Sequence, residues 1–288
     1  MSSSEQPIGV FDSGIGGLTV LRRLLELLPN QRYVYLGDTA RVPYGNKSTE
    51  TVQRYSLECV DFLLEHNVQA IVVACNTASA LALDTIRKHT TIPVVGMIGP
   101  AAVEAVESTT SGRIGVIGTR ATIASNAYGS AIQGVALQRG DEAGNRNDRP
   151  RTVEVVSRAC PLFVPLVEEG WTDMPATRMI AETYLQPLIQ QRVDTLVLGC
   201  THYPMLSELL LSVVQGVRLI DCGNAAARAV ASLLAVEATS PTPLNASLLR
   251  EHVLMYLTDY TPAFQTIAKD FLGVPVEEPV RTVLREMS

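Results

Sequence analysis

The sequence predicts an α/β protein of two pseudo-symmetric, three-layer domains whose parallel sheets face each other across a central cleft. Three observations carry that expectation. Runs such as Ala70-Ile71-Val72-Val73-Ala74 and, after Thr195, Leu196-Val197-Leu198 are apolar, as strands covered on both faces are. Such runs alternate with helical stretches, the order that builds a parallel sheet. The pattern also repeats. Ile8-Gly9-Val10 matches Ile114-Gly115-Val116 at an offset of 106, Val42-Pro43 matches Val164-Pro165 at 122, and Cys75 matches Cys200 at 125. Val94-Val95 before Gly-Pro-Ala-Ala pairs with Leu219-Ile220 before Gly-Asn-Ala-Ala at similar spacing. The growing offset implies an insertion of roughly 16–19 residues in the second copy. The charged, Gly-containing stretch Gln138 to Arg151 is the candidate, read as an exposed loop or irregular extension.

Taken in order, Ile8-Gly9-Val10-Phe11 is a first strand ending at Asp12-Ser13-Gly14-Ile15-Gly16-Gly17. These glycines lack the GxGxxG spacing, and the leading Asp would repel a diphosphate, so a tight turn presenting Asp12 and Ser13 is expected. A helix follows over about Leu18 to Leu28, with Leu21, Leu24, Leu25 and Leu28 on one face and Pro29-Asn30 as its stop. Tyr33 to Leu36 is a second strand ending at Gly37-Asp38-Thr39, another carboxylate at a strand end. After the loop Val42 to Lys47, Ser48 or Thr49 caps a helix reaching about His66. The Cys75 strand and one helix to about His89 come next, then a strand over Ile92 to Gly96 and a helix that Pro100 opens. Ile114 to Gly118 restarts the pattern, and a helix over about Ala225 to Ala235 precedes a polar linker, Ala238 to Asn245. A terminal strand, helix and tail, His252 to Leu284, carries no chemical motif.

Composition narrows the function. Of 288 residues, 47% are hydrophobic and 18% charged, as in a globular protein with a sizeable core. No apolar run approaches the roughly 20 residues of a membrane span, and the polar lead Met1 to Pro7 has no signal-peptide pattern, so a cytoplasmic location is expected. A net charge of −6 gives no overall attraction to nucleic acid or an anionic membrane. The five cysteines are odd in number and widely spaced, which speaks against a disulfide framework, and no CxxC suggests structural zinc. The only lysines are Lys47, Lys88 and Lys269, and no Gly-rich phosphate cradle leads to Lys47. Pyridoxal phosphate is therefore not expected, and no cofactor is.

The chemistry rests on two cysteines at strand ends, where open α/β sheets bind ligands and where a following helix start favours a thiolate. Two thiols on opposite walls of a cleft suit proton abstraction from one face of a carbon and delivery to the other, as a two-base racemase requires. An ordinary thiol pKa of about 8.5 makes one ionised and one protonated cysteine accessible near neutrality. Asp12 suits a substrate ammonium or a thiol, and His202 suits its neighbour Cys200. Two other readings stay open: a zinc ion on Cys75, Cys200, His202 and Asp12, and a binding protein without catalysis.

Asp12-Ser13-Gly14-Ile15-Gly16-Gly17, Gly37-Asp38-Thr39, Pro43-Tyr44-Gly45, Cys75-Asn76-Thr77-Ala78 and Gly199-Cys200-Thr201-His202-Tyr203-Pro204 together resemble the cofactor-independent glutamate racemases of the aspartate/glutamate racemase family. The resemblance runs from about Ile8 to Asp221. It implies interconversion of L- and D-glutamate, supplying D-glutamate for peptidoglycan, and a homodimer. Cys75 and Cys200 would be the acid/base thiols, with Asp12 assisting the first and His202 and Glu168 the second. Asp12, Ser13, Tyr44, Gly45, Asn76, Thr77, Thr201 and His202 would contact substrate, and Asp38 joins the candidates. The domains would be 8–98 carrying Cys75, 99–209 carrying Cys200, and 210–288 returning to the first. The short lead before Ile8 implies no long extension of the kind through which some relatives sense a cell-wall precursor.

Overall fold

The computed structural model describes residues 6–142, 152–260 and 262–285. Along the chain β1 (Ile8–Asp12) leads into α1 (Leu18–Leu27), and β2 (Tyr33–Gly37) into α2 (Thr49–Glu65). β3 (Ala70–Val73) leads into α3 (Asn76–Leu81) and α4 (Leu83–His89), and β4 (Val94–Gly96) into α5 (Ile98–Ser108). The second round comprises β5 (Arg113–Gly118), α6 (Arg120–Ala124), α7 (Ala127–Glu142), β6 (Glu154–Ala159), α8 (Phe163–Glu168) and α9 (Pro175–Gln190). It closes with β7 (Thr195–Gly199), α10 (Ser207–Val213), β8 (Arg218–Asp221) and α11 (Cys222–Leu233). α12 (Ala246–His252), β9 (Val253–Leu257), α13 (Phe264–Leu272) and β10 (Val280–Arg281) follow.

The strands form two parallel sheets, ordered β10-β9-β2-β1-β3-β4 and β6-β5-β7-β8, with helices on both sides. Their registers superpose. Ile8 lies opposite Tyr33 and Ala70, and Ile114 lies opposite Val155 and Thr195. Ile71 faces Val94 as Leu196 faces Leu219. Equivalent positions are thus 106 apart in the central strands, 122 in β2 and β6, and 125 in the others. The added residues therefore enter mostly between β5 and β6, where α6 and α7 stand in place of α1. Gln138 to Glu142 extend α7 instead of forming a loop, because the helix begun at Ala127 continues through them. The rest of the expected insertion, 143–151, lies outside the described residues.

Three other expectations need correction. β8 pairs with β7, so the second sheet runs past residue 209 to Asp221. The helix after Cys75 breaks at Ala82 (φ −124°, ψ −9°), which brings Leu83 against Gly96, where a Cβ would lie 2.8 Å from its Cδ2. α5 starts at Ile98, with Pro100 inside the first turn, where its missing N–H costs no helical bond. β9 and β10 extend the first sheet, Val253 opposite Tyr33 and Leu257 opposite Gly37. One core unites Leu21, Leu24 and Leu25 of α1 with Ile114, Val116, Leu196 and Val197 of the second sheet. A second packs Phe11, Val34 and Ile71 beneath Val60 and Leu63 of α2.

Candidate active site

The Cys75 wall begins with β3. Its strand-buried residues fix the end of the chain's path, and Cys75 follows as the cap of α3, accepting from the Ala78 N–H at 3.4 Å. The thiol points to the Ser13 hydroxyl at 3.4 Å. Asp12, the last residue of β1, accepts from the Gly14 N–H through Oδ2 at 2.9 Å, while Oδ1 is buried without a partner. Burial raises the Asp12 carboxyl above the ordinary range, against the opposing pull of His202 and of the turn's N–H groups. Burial also pushes the Cys75 thiol up to about 12, helped by the Asp12 charge and resisted by Ser13 and Ala78. This thiol holds its proton.

The Cys200 wall is built differently. Cys200 follows β7, and His202 Nδ1 stands 3.9 Å from its sulfur. The other ring nitrogen meets Glu168 Oε1 at 2.9 Å, from the last residue of α8. Burial disfavours the imidazolium, yet the bonds and charges of Cys200 and Glu168 outweigh it and lift His202 to about 10. Phe271 of α13 packs edge-on against the imidazole, centroids 5.4 Å apart at 87°. Both thiols are nearly enclosed, 5% exposed at Cys75 and 6% at Cys200.

The two walls meet closely enough for Cys200 to act on Cys75 and His202 on Asp12 through their charges. Gly16 is needed for this approach: a Cβ there would lie 2.3 Å from Thr201 Oγ1 and 2.4 Å from His202 Cε1. The Thr19 hydroxyl donates to the Thr201 carbonyl at 2.8 Å. Thr77 Oγ1 lies 3.0 Å from Thr119 and 3.2 Å from Thr122, a cluster joining α3 to the end of β5. Gly45 abuts Thr119, and Asn76 Oδ1 receives the Tyr128 hydroxyl at 2.5 Å.

Asp12, Ser13, Asn76, Thr77, Cys75, Cys200, Thr201, His202 and Glu168 are thus brought together. Tyr44 and Asp38 differ. The Tyr44 hydroxyl donates to Asp38, which also accepts from Arg41 Nε at 2.7 Å and Thr258 Oγ1 at 3.1 Å. Both are buried, and their polar atoms are occupied with one another, which braces the Gly45 loop. Sequence reasoning missed Thr119, Thr122, Tyr128 and Phe271. The first two carried a signal: Thr119 follows β5 as Ser13 follows β1, and it caps α6. Among the described residues, no three His, Cys, Asp or Glu side chains converge as metal ligands.

Two thiols at the ends of matching parallel strands, each with its own titratable neighbour, define the class. A model of the Asp/Glu/Hydantoin racemase family matches residues 8–230, and the chain belongs to that family. Among curated proteins it is 47% identical to a glutamate racemase of Geobacter metallireducens over 92% of both chains. It is 44% identical to one of Chlorobaculum tepidum over 96% of both. Among solved structures it is similar to glutamate racemase from Francisella tularensis in complex with D-glutamate (TM-score 0.81, 35% identity, 97% and 98% of the two chains covered). An isoform from Bacillus anthracis gives a TM-score of 0.84 at 33% identity, covering 98% and 100%. The chain is an enzyme of this glutamate racemase type.

Proposed function

We propose that this chain interconverts L- and D-glutamate without a cofactor, by proton transfer between substrate and the thiols of Cys75 and Cys200. The observation that carries the reading is the opposed pair of cysteines, one beside a carboxylate and the other beside an imidazole. In one direction a thiolate removes the α-proton, and the opposite thiol protonates the other face of the carbanion. In the reverse direction the roles exchange. Asp12 and His202 then act as the local proton reservoirs. Asp12, its pKa raised, accepts the Cys75 proton, and the His202 imidazolium, held by Glu168, returns one to Cys200. The unpartnered Asp12 Oδ1 suits the substrate ammonium, an exchange of a buried orphan for a charged hydrogen bond. Ser13, Asn76, Thr77 and Thr201 supply polar groups for the two carboxylates. Gly45 bears on the same space through its backbone beside Thr119.

In the cell this activity would supply D-glutamate for peptidoglycan, from a cytoplasmic homodimer. No helix among the described residues is long and apolar enough to cross a membrane. The domain division that fits the sheets is 8–98 and 99–221, with the remainder completing the first sheet. Incubation of purified enzyme with D-glutamate in deuterated buffer, followed by circular dichroism and mass spectrometry, tests the reading. Loss of optical activity with deuterium at the α-carbon is expected. Turnover of aspartate alone would move the substrate, and inactivity on both would sink the proposal. Sedimentation analysis checks the dimer.

A further inference from the structure

We infer that Tyr128 is a positioning residue for racemisation, locking the amide of Asn76 so that its NH2 faces the substrate while its ring braces the backbone before Cys200. The inference rests on the glutamate reading above. Tyr128 lies in the first turn of α7 and is 2% exposed. Its ring fills the space that a side chain at Gly199 would need, since a Cβ there would sit 3.0 Å from Tyr128 Cε2. Gly199 is the residue before Cys200, and Asn76 is the residue after Cys75. One side chain therefore spans the two catalytic motifs.

The hydroxyl has two neighbours, Asn76 Oδ1 at 2.5 Å and Cys222 Sγ at 3.0 Å. Cys222 directs its own S–H to the Leu198 carbonyl at 3.2 Å, and Asn76 Oδ1, which can only accept, takes the phenolic proton. A carboxamide has nearly isosteric ends and can rotate to present either oxygen or NH2. Rotation would exchange the O–H···O bond to Oδ1 for an N–H···O bond to the phenolic oxygen and turn the phenolic proton to Cys222 Sγ, a weak acceptor, so the amide favours its present orientation. The outward group is then a donor, as a carboxylate substrate requires, and donation into its carbonyl strengthens it. A rotated amide would offer its oxygen to a carboxylate and repel it.

Tyr128→Phe removes one oxygen and keeps the ring on Gly199. Initial rates in both directions are compared for wild type, Tyr128→Phe, Asn76→Ala and the double variant. Tyr128→Phe is expected to raise KM for both enantiomers about tenfold, the scale of one buried hydrogen bond, with a thermal midpoint within about 4 °C of wild type. Because Tyr128 acts through Asn76, its loss adds nothing in the Asn76→Ala background. An unchanged KM in a folded Tyr128→Phe, a fall in kcat alone, or effects that multiply in the double variant would overturn the inference while leaving the glutamate reading intact. A wild type without turnover on glutamate defeats that underlying reading, and this inference with it.

Discussion

The two walls of the site share a scaffold and differ in charge. Cys75 and Cys200 follow equivalent strands, β3 and β7, whose registers against their neighbours match residue for residue. Cys75 stands beside Asp12, and its own burial, followed by the Asp12 charge, holds the thiol's proton on. Beside Cys200 stands His202, buttressed by Glu168 and drawn towards the charged form. A symmetric fold thus carries an asymmetric pair, one wall poised to give a proton and the other to keep an imidazolium at hand. A racemase must treat two mirror-image substrates equally well at equilibrium, and nothing in that demand requires its walls to be identical. Under the two-thiol mechanism proposed above, it requires only that each thiol can be reached in both protonation states.

Replacing the thiols tests that comparison most severely. Cys75→Ser and Cys200→Ser are each expected to lower racemisation by roughly 10²–10⁴-fold, with folding unchanged by circular dichroism. Substantial turnover in either variant would break the pairing. Gly16→Ala is the next largest perturbation: its methyl would displace Thr201 and His202. A loss of about tenfold or more is expected, with about 1–3 kcal/mol less stability in urea unfolding, because Thr201 and His202 are buried.

A smaller effect sharpens the contrast in charge. Glu168→Gln removes one of the groups that raise His202, so the alkaline limb of the pH–rate profile moves to lower pH, with kcat down about tenfold at neutrality. The same coupling bears on stability. The raised folded pKa of His202 stabilises the fold fully below its unfolded value of about 6.5, and that contribution is lost as pH rises through about 10. A Glu168→Gln variant whose profile keeps its alkaline limb would remove Glu168 from the proton economy.

The smallest effect lies at the opposite end of the strands. Asp194 precedes β7 and accepts from Thr109 Oγ1 at 2.6 Å, Thr110 N–H at 2.8 Å and Ser111 N–H at 2.6 Å. Despite partial burial, those bonds hold its carboxyl well below the usual range. The equivalent position in the first half is Gln69, a neutral side chain whose Nε2 donates to the Gln6 carbonyl at 2.5 Å. Asp194→Asn makes the halves alike and should cost about 1–2 kcal/mol in urea unfolding at pH 7. Its wild-type advantage is present above an unfolded pKa of about 3.9 and fades as pH falls towards the depressed folded value. A difference independent of pH would show that the carboxylate charge is not what matters there.

The parts of this molecule that could be read from its sequence are those where one physical demand dominates. β1, β3 and β7 are covered on both faces and so appear as uninterrupted apolar runs. β6 escaped notice because it is an edge strand, and Glu154, Ser157 and Arg158 face solvent among its residues. The cysteines, Asp12 and His202 were legible through motif and repeat. The direction of Tyr44 was not, because an aromatic in a loop can serve either a ligand or the core. Here the Tyr44 hydroxyl meets Asp38, which Arg41 and Thr258 also hold, and Thr258, just after β9, lies some 220 residues from Asp38. Tyr128 and Phe271 were illegible for the same reason: each matters through a partner distant in sequence.

The placement of β9 has a consequence for how the protein is made. Val253 to Leu257 pair with Tyr33 to Gly37, and the short β10 then covers the new edge. During synthesis the outer side of β2 emerges early and waits for a mate that leaves the ribosome some 220 residues later. Throughout that interval the nascent chain carries an open hydrogen-bonding rail of the kind that recruits foreign strands. A chain terminated after α11 would possess both thiols and yet keep that rail exposed. Such a product is a substrate for chaperones and proteases before it is an enzyme.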